Sequence, residues 1–308
     1  MSDKTKIQWC HSTVNPVMGC DGCELWPKLP QIAAVMVALL RNSSTSHRTK
    51  DEGLIRSNVE AYQHATELWH DRHQLALRLS SLSPDILAYR WLTKIEEKFK
   101  CYAGTLHMAR GVTPPLFNEA INKGHARVFE HPQKFPGRMA MAAKWSDHRN
   151  KPDSQPSWLS GLPRLIFISD MGDALSDSID FKFLKSEIID NVTSPDGHRH
   201  IWFWLSKRPR RMAEFARWLR DEHDLSWPDN LVAMTSVTNR ATRSRIDDLR
   251  KVPAKLRGLS VEPLIEEVSL DLDGIDWVIV GGESGKHARP FDLAWAKKIE
   301  PVPEVGDF

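Results

Sequence analysis

The feature that most constrains the fold is a regular alternation of short apolar runs with helix-like segments. Six runs have the composition of strands, at residues 12–18, 164–169, 199–205, 231–236, 256–261 and 276–280. Several are nearly continuous apolar stretches, which is typical of strands covered on both faces. Helix-like segments lie between or after them, at residues 181–191, 210–222, 241–251 and 292–300. We therefore expect an α/β fold with a parallel sheet, and six such units favour a partial (β/α)6 TIM-like barrel.

One long segment, residues 24–100, does not share this alternation and contains no convincing strand. Three helix-like stretches occur inside it, at residues 31–40, 53–79 and 84–100. We interpret the segment as a helical insertion that follows the first strand. The expected organisation is a barrel domain formed by residues 1–23 and 101–308, interrupted by this insertion. A length of 308 residues suits either two average domains or one α/β barrel.

Composition places the chain among folded, water-soluble proteins. Hydrophobic residues make up 41% and charged residues 27%, which is too apolar for a disordered chain. The longest apolar run, residues 31–40, has about half the length that a membrane-spanning helix needs. The first residues are polar and lack the apolar core of a signal peptide, so we expect a cytoplasmic protein with no membrane partner. The net charge of +2 does not by itself require a nucleic-acid partner.

The four cysteines are the most informative residues for function. Cys20 and Cys23 form a Cys-x-x-Cys pair directly after the first predicted strand, where barrel enzymes carry active-site loops. In a reducing compartment such a pair indicates a metal, a cluster or redox chemistry rather than a disulfide. Half of a zinc site or two buried thiols would explain the pair equally simply. Cys101, taken alone, is more typical of packing than of ligation.

Several short phrases, in order along the chain, resemble a phage and bacterial family named after gene products thirty-seven and sixty-eight. They are KIQW at 6–9, NPVMGC at 15–20, CYA at 101–103, ISDMGD at 168–173, LSKRP at 205–209, LSVEPL at 259–264 and WVIVGGESG at 277–285. The family opens with a Lys-Ile-Glu-Trp phrase, and two further cysteines after its Asn-Pro-Val-Thr-Gly-Cys end in Cys-Tyr-Ala. In this chain the third cysteine phrase is displaced by the insertion.

The three-cysteine phrase of that family is similar to that of radical S-adenosylmethionine enzymes, above all the spore-photoproduct-lyase group. The resemblance implies a 4Fe-4S cluster held by Cys20, Cys23 and Cys101, with the fourth iron open for S-adenosylmethionine. Three cysteines suit such an open cluster, since a closed one normally takes four. Cys10 lies outside the pattern. It is either a buried thiol or a fourth ligand that closes the site.

Polar residues follow the predicted strands at the points where barrel strands open onto a common mouth. The candidate cofactor-binding residues are Ser169, Asp170, Asp173, Ser206, Lys207, Arg208, Ser236, Asn239, Glu262, Gly281, Gly282 and Glu283. Together they offer carboxylates for an ammonium and a sulfonium, hydroxyl and amide groups for a ribose, and a base for a carboxylate. The simpler alternative for each residue is a helix cap or a turn, especially for Asp173 and Ser236. No catalytic residue is assigned.

Two basic stretches, residues 199–220 and 240–257, suit either a phosphate backbone or ordinary solvated helix faces. The leading hypothesis is an enzyme that cleaves S-adenosylmethionine reductively and abstracts hydrogen from a nucleic-acid or nucleotide substrate. It implies an electron donor, and the resemblance implies a three-cysteine-motif partner protein. One alternative is a non-catalytic barrel, stabilised by zinc or a cluster, that binds nucleic acid or a protein. Another is a hydrolase using Glu262 and Asp170 as acid and base.

Overall fold

The computed structural model describes residues 4–25, 101–104, 106, 126, 129, 132–149, 157–284 and 288–299. The three helices expected in the insertion lie outside these residues. The chain divides into two compact units. The first unit comprises Met1–Met18 and Pro132–Phe308, and the second comprises Gly19–His131. The division falls a few residues before the expected start of the insertion and some thirty residues after its expected end, so the second unit contains Cys20, Cys23 and Cys101.

The first unit is built on a six-stranded parallel sheet in the order β1-β4-β5-β6-β7-β8. The strands are β1 (Ser12–Val14), β4 (Leu165–Ile168), β5 (Ile201–Ser206), β6 (Leu231–Ser236), β7 (Arg257–Val261) and β8 (Trp277–Val280). The sequence-based expectation of an α/β fold with a parallel sheet is confirmed. Between the described strands, β1 and β8 form the two ends of this order, and no closed barrel is seen.

The first predicted strand, residues 12–18, is not continuous. It ends as β1 at Val14, and a separate strand, β2 (Val17–Met18), pairs antiparallel with β3 (Gln133–Lys134). Pro16 separates the two strands, and proline has no backbone N–H to donate to a sheet. The Asn15 side chain is instead used for tertiary hydrogen bonds. Two residues, Asn15 and Pro16, thus separate the end of β1 in the parallel sheet from the start of β2, and the loop that carries Cys20 and Cys23 follows β2.

The two faces of the sheet carry different cores because neighbouring residues of a strand point to opposite sides. On β5, Trp202 and Trp204 belong to the larger core, whereas Phe203 belongs to the smaller one. The smaller core also contains Trp9 and Cys10 from the N-terminal segment. Burying a side chain as large as Trp202 stabilises the fold by roughly 3 kcal/mol. The smaller core therefore lies on the opposite face of the sheet from the larger one, and residues of the N-terminal segment pack there against side chains of β4, β5 and β6.

Helices pack on the larger core. They are α1 (Arg138–Ala143), α2 (Phe181–Leu184), a π-helix (Lys185–Ile189), α3 (Asp190–Val192), α4 (Pro209–His223), α5 (Arg245–Arg250) and α6 (Leu293–Lys297). The longest, α4, buries Met212, Phe215 and Leu219 at helical spacing against the sheet. Asp180 caps α2 by accepting a hydrogen bond from the Phe183 amide. Within the described part of the chain, every helix is too short or too polar to traverse a lipid bilayer.

Candidate functional site

The carboxyl ends of the parallel strands carry most of the candidate residues, as a parallel sheet requires. Ser169 follows β4, Lys207 follows β5, Val237 follows β6, Glu262 follows β7 and Gly281 follows β8. Since all six strands run in the same direction, these positions lie along one edge of the sheet in the first unit. We call this the carboxyl edge. Open α/β sheets bind their ligands at this edge.

The turn after β4 is the most unusual part of the carboxyl edge. Ser169 has a φ of 75°, a left-handed conformation that costs a non-glycine residue about 1–2 kcal/mol. Its side chain is buried, and its hydroxyl has no hydrogen-bond partner among the described residues. Its backbone amide donates to the Val14 carbonyl at 2.9 Å, which joins the turn to β1. The left-handed backbone and the unpaired buried hydroxyl make Ser169 a candidate functional position.

Asn15 holds the next two residues of this turn. Its Nδ2 donates to Asp170 Oδ1, and its Oδ1 accepts a hydrogen bond from the Met171 amide at 2.9 Å. Burial raises the pKa of Asp170 above its usual value, although hydrogen bonds from Asn15 and Thr13 oppose the shift. Among the described residues no arginine, lysine or histidine forms an ion pair with Asp170. The side chains that donate hydrogen bonds to this half-buried residue, Asn15 and Thr13, are thus neutral.

Cys10 lies beside this turn and is fully buried in the smaller core. Burial raises the pKa of its thiol far above the ordinary range, and the negative charge of Asp170 raises it further. A thiol in such surroundings stays protonated and unreactive. These surroundings agree with the interpretation of Cys10 as a buried thiol rather than a cluster ligand.

Asp173 has a different environment from Asp170, although only two residues separate them. Its carboxylate accepts hydrogen bonds from Ser206 Oγ at 2.9 and 3.0 Å, the Lys207 amide at 3.1 Å and the Leu175 amide at 3.0 Å. It also forms an ion pair with Arg208 at 3.0 Å. Asp173 therefore ties the turn after β4 to the end of β5. It brings three of the predicted site residues together in a structural role.

The polar residues after β6 are used mainly in turns. Ser236 is buried, and its carbonyl accepts a hydrogen bond from Arg245 at 3.0 Å. Asn239 caps a short 3-10 helix (Arg240–Thr242) by accepting from the Thr242 amide at 3.1 Å. The Thr242 hydroxyl in turn accepts from the Asn239 amide, which completes a capping box. Asn239 is therefore a helix cap, the simpler of the two roles considered for it in the sequence analysis.

Glu262 follows β7 directly at the carboxyl edge. The Trp9 side chain donates a hydrogen bond to its carboxyl group, and burial raises its pKa above the usual value. A Cβ atom on Gly281 would lie only 2.3 Å from Glu262 Oε1. The bare backbone of Gly281 therefore makes the space that this carboxyl occupies. As for Asp170, no described residue forms an ion pair with Glu262.

The residues that follow β8 make close contacts with residues slightly further along the chain. A Cβ atom on Gly282 would lie 2.9 Å from Cβ of Phe291, so glycine is needed for this contact. The Glu283 carboxylate accepts two hydrogen bonds from the Arg289 guanidinium, at 2.7 and 3.0 Å, and a third from the Arg289 amide. Such a bidentate pair is geometrically specific and strong. It leaves Glu283 engaged with the protein itself.

The three cysteines of the expected cluster all belong to the second unit. Gly19 and Gly22, on either side of Cys20, have φ values of 89° and 103°, which only glycine adopts without strain. The Cys23 sulfur accepts a hydrogen bond from the Leu25 amide at 3.4 Å. Within the described ranges, no three His, Cys, Asp or Glu side chains are gathered where they could hold one metal ion.

A family model described as Protein of unknown function (DUF5131) matches residues 96–304, more than half of the chain. The chain belongs to the DUF5131 family. No curated protein and no solved structure matches it. The region matched by DUF5131 contains Cys101 and strands β3 to β8, whereas Cys20 and Cys23 precede it.

Two residues within the DUF5131 region escaped the sequence analysis. Arg138 donates through Nη1 to the Asn15 carbonyl at 3.0 Å, and it lies against the Phe135 ring at 3.9 Å. Glu187 is buried and accepts hydrogen bonds from the Gly137 and Met139 amides, both at 2.9 Å. Both belong to helices and are remote in sequence from their partners. Their only local signal is a glycine before Arg138, which suits a helix start.

The basic stretches of this DUF5131 member are largely neutralised by the protein. In the first, Arg208 pairs with Asp173, and Arg210 pairs with Glu214 at 3.2 Å. In the second, Arg250 reaches an aspartate carboxylate at 2.8 Å, as does Lys251 at 2.6 Å. Paired charges of alternating sign are typical of solvated helix faces. The pairs of Arg210, Arg250 and Lys251 are consistent with solvated helix faces, whereas Arg208 pairs with Asp173 in a mostly buried setting.

Proposed function

We propose that this protein is an iron–sulfur enzyme of the radical S-adenosylmethionine type, in which Cys20, Cys23 and Cys101 hold a 4Fe-4S cluster. The observation that carries the proposal is that these three cysteines belong to one compact unit. Three thiolates are the donor set of a cluster with one open iron. Cys10 is left out of the set because its thiol is fully buried in the smaller core, where burial keeps it protonated.

The donor set fits the cluster in type and number. Since the described residues contain no assembled group of three ligands, the proposal requires that iron loading brings the thiols together. The left-handed Gly19 and Gly22 allow the chain to turn tightly around Cys20. Metal binding that completes local folding is ordinary for cysteine sites.

In this proposal, the turn after β4 would bind the ammonium group of S-adenosylmethionine. Ser169 offers an unpaired buried hydroxyl, and Asp170 offers a carboxyl without an ion-pair partner in the described residues. Glu262 offers a second such carboxyl. Asp173 and Glu283 are less suited, because arginines of the protein already engage them. For the ammonium group of S-adenosylmethionine, the proposed binding residues are therefore Ser169, Asp170 and Glu262, a smaller set than the sequence predicted.

When bound, the cluster and S-adenosylmethionine would supply reductive cleavage of the cofactor and hydrogen abstraction from a substrate. The protein's part is to bind and orient these groups and to exclude water. The proposal includes a partial (β/α)6 TIM-like barrel, supported by the open parallel strand order. It also includes a nucleic-acid or nucleotide substrate, an electron donor and a three-cysteine-motif partner protein, which rest on the resemblance of the sequence motifs.

Anaerobic purification followed by iron analysis tests the proposal. We expect a brown protein with about four irons per chain and an absorbance at about 400 nm. Cys20→Ala and Cys101→Ala should each lose both properties. Cys10→Ala is the matched control and should keep them. A colourless protein that carries one zinc would refute the proposal and favour the non-catalytic, metal-stabilised alternative.

A further inference from the structure

Arg138 contacts the segment that leads into the cysteine loop. We define this lead-in segment as residues 15–18, all of which belong to the first unit. Arg138 Nη1 donates to the Asn15 carbonyl at 3.0 Å and lies 3.2 Å from Met18 Sδ, so it touches both ends of the segment. Its guanidinium also lies 3.9 Å from the centre of the Phe135 ring. The Phe135 amide in turn donates to the Pro16 carbonyl at 2.8 Å.

Arg138 is the first residue of α1, and hydrogen bonds made by its two neighbours in the chain fix its position. Glu187 accepts hydrogen bonds from the Gly137 and Met139 amides, the residues on either side of Arg138. Those amides belong to the first turn of a helix, where a carboxylate also meets the positive end of the helix dipole. Glu187 lies in the π-helix, Lys185–Ile189, and is buried. π-helical turns occur often near functional sites.

Asn15 extends this arrangement to the carboxyl edge. Its backbone carbonyl accepts from Arg138, whereas its side chain bridges Asp170 and the Met171 amide. A single residue thus joins the lead-in segment to the strained turn after β4. A shift of the Asn15 backbone would move both.

We propose that Arg138 is a positioning residue that fixes the lead-in segment and, through Asn15, the Asp170 turn. Arginine suits this role better than lysine, because its planar guanidinium can donate to a carbonyl and stack on Phe135 at the same time. The effect on iron binding rests on the proposed function, since only then do the cysteines that follow the segment serve as ligands. The effect on the Asp170 turn does not depend on iron.

Amide hydrogen exchange in the intact, iron-free chain measures the positioning directly. In Arg138→Ala we expect the Met171 and Phe135 amides to exchange at least tenfold faster. The Trp202 amide, which donates to Asn230 in the core, should exchange as in wild type. A general loss of stability would instead accelerate all three amides. In iron-loaded protein, Arg138→Ala should retain less than half of the wild-type iron.

Arg211→Ala is the matched control. Arg211 also donates to a backbone carbonyl, that of Ile179 at 2.6 Å, and lies over an aromatic ring, that of Phe181. It should leave Met171 exchange and iron content unchanged. Arg138→Gln, which keeps an uncharged NH2 donor group, serves if the alanine variant does not fold, and it should show the same two effects more weakly.

The proposal is overturned if the Met171 and Phe135 amides exchange at wild-type rates in the Arg138 variants, or if Arg211→Ala accelerates them equally. If wild type itself binds no iron, the proposed function fails, while the exchange measurement still decides the positioning role. If wild type binds iron and Arg138→Ala accelerates exchange yet keeps all its iron, the link between the lead-in segment and the cluster is refuted.

Discussion

Replacing Asp173 by alanine tests whether its carboxylate stabilises the fold or serves mainly to bind a ligand. Asp173 accepts hydrogen bonds from Ser206, Leu175 and the Lys207 amide and pairs with Arg208. The exposed fractions of the two charged side chains are only 6% for Asp173 and 15% for Arg208, so solvent screens the pair weakly. Removing one partner of a buried pair leaves an uncompensated charge and costs about 3–5 kcal/mol.

We therefore expect Asp173→Ala to lower the free energy of unfolding by about 3–5 kcal/mol, a large fraction of the roughly 5–15 kcal/mol that stabilises a typical domain. Asp173→Asn keeps the shape and one acceptor oxygen, so it should lose less, about 1.5–3 kcal/mol. Urea unfolding followed by tryptophan fluorescence measures both, provided that the denaturant slopes stay close to that of wild type.

Glu214→Ala is the control, because Glu214 pairs with Arg210 at the surface, where the arginine side chain is 81% exposed. Removing that pair should cost about 0.3–0.5 kcal/mol. A loss below about 1 kcal/mol for Asp173→Ala, or one equal to that of Glu214→Ala, would refute the assignment of Asp173 as a structural carboxylate.

Two further predictions concern stability. Burial lowers the pKa of His11 and His200 in the folded protein, so the unfolded chain takes up their protons first as the pH falls. The contribution of these two histidines to stability should be level at higher pH and decrease below about pH 6.5. The decrease should reach at most about 1.4 kcal/mol per pH unit for each histidine. Urea unfolding at several pH values checks this, and a slope unchanged in His200→Gln would contradict it. Gly197→Ala would place a Cβ 1.9 Å from the Asn191 carbonyl oxygen and should cost more than about 2 kcal/mol, whereas Gly274, with open space around its Cβ, should lose only about 1 kcal/mol from its positive φ when replaced by alanine.

The sequence predicts the sheet well because each strand of the larger core is a short, nearly continuous apolar run. Strands β4, β5 and β6 lie within one to two residues of their expected bounds. The break at Asn15 and Pro16 is missed, because apolar content on both sides hides a change of partner from a parallel to an antiparallel strand. The π-helix is also missed, since its residues keep an ordinary helical pattern.

The candidate site is predictable in position but not in role. A parallel order dictates that polar strand ends share one edge, so the sequence locates Asp170, Asp173, Glu262 and Glu283 near that edge. It does not dictate which of them an arginine reaches. Arg208 belongs to the neighbouring strand end and pairs with Asp173, while Arg289 pairs with Glu283 across a short loop. Such pairings depend on tertiary geometry that no local pattern contains.

The carboxylates of the carboxyl edge thus divide by what neutralises them. Those paired with arginine are satisfied within the protein, whereas Asp170 and Glu262 have neutral donors, Asn15 and Trp9, and no ion pair with a described residue. Both residues are half-buried, and desolvation raises the pKa of each carboxyl because it disfavours the ionised form. A cationic ligand would relieve that cost. Under the proposed function, we therefore expect a cationic ligand to bind beside Asp170 and Glu262 rather than beside the carboxylates that arginines already engage.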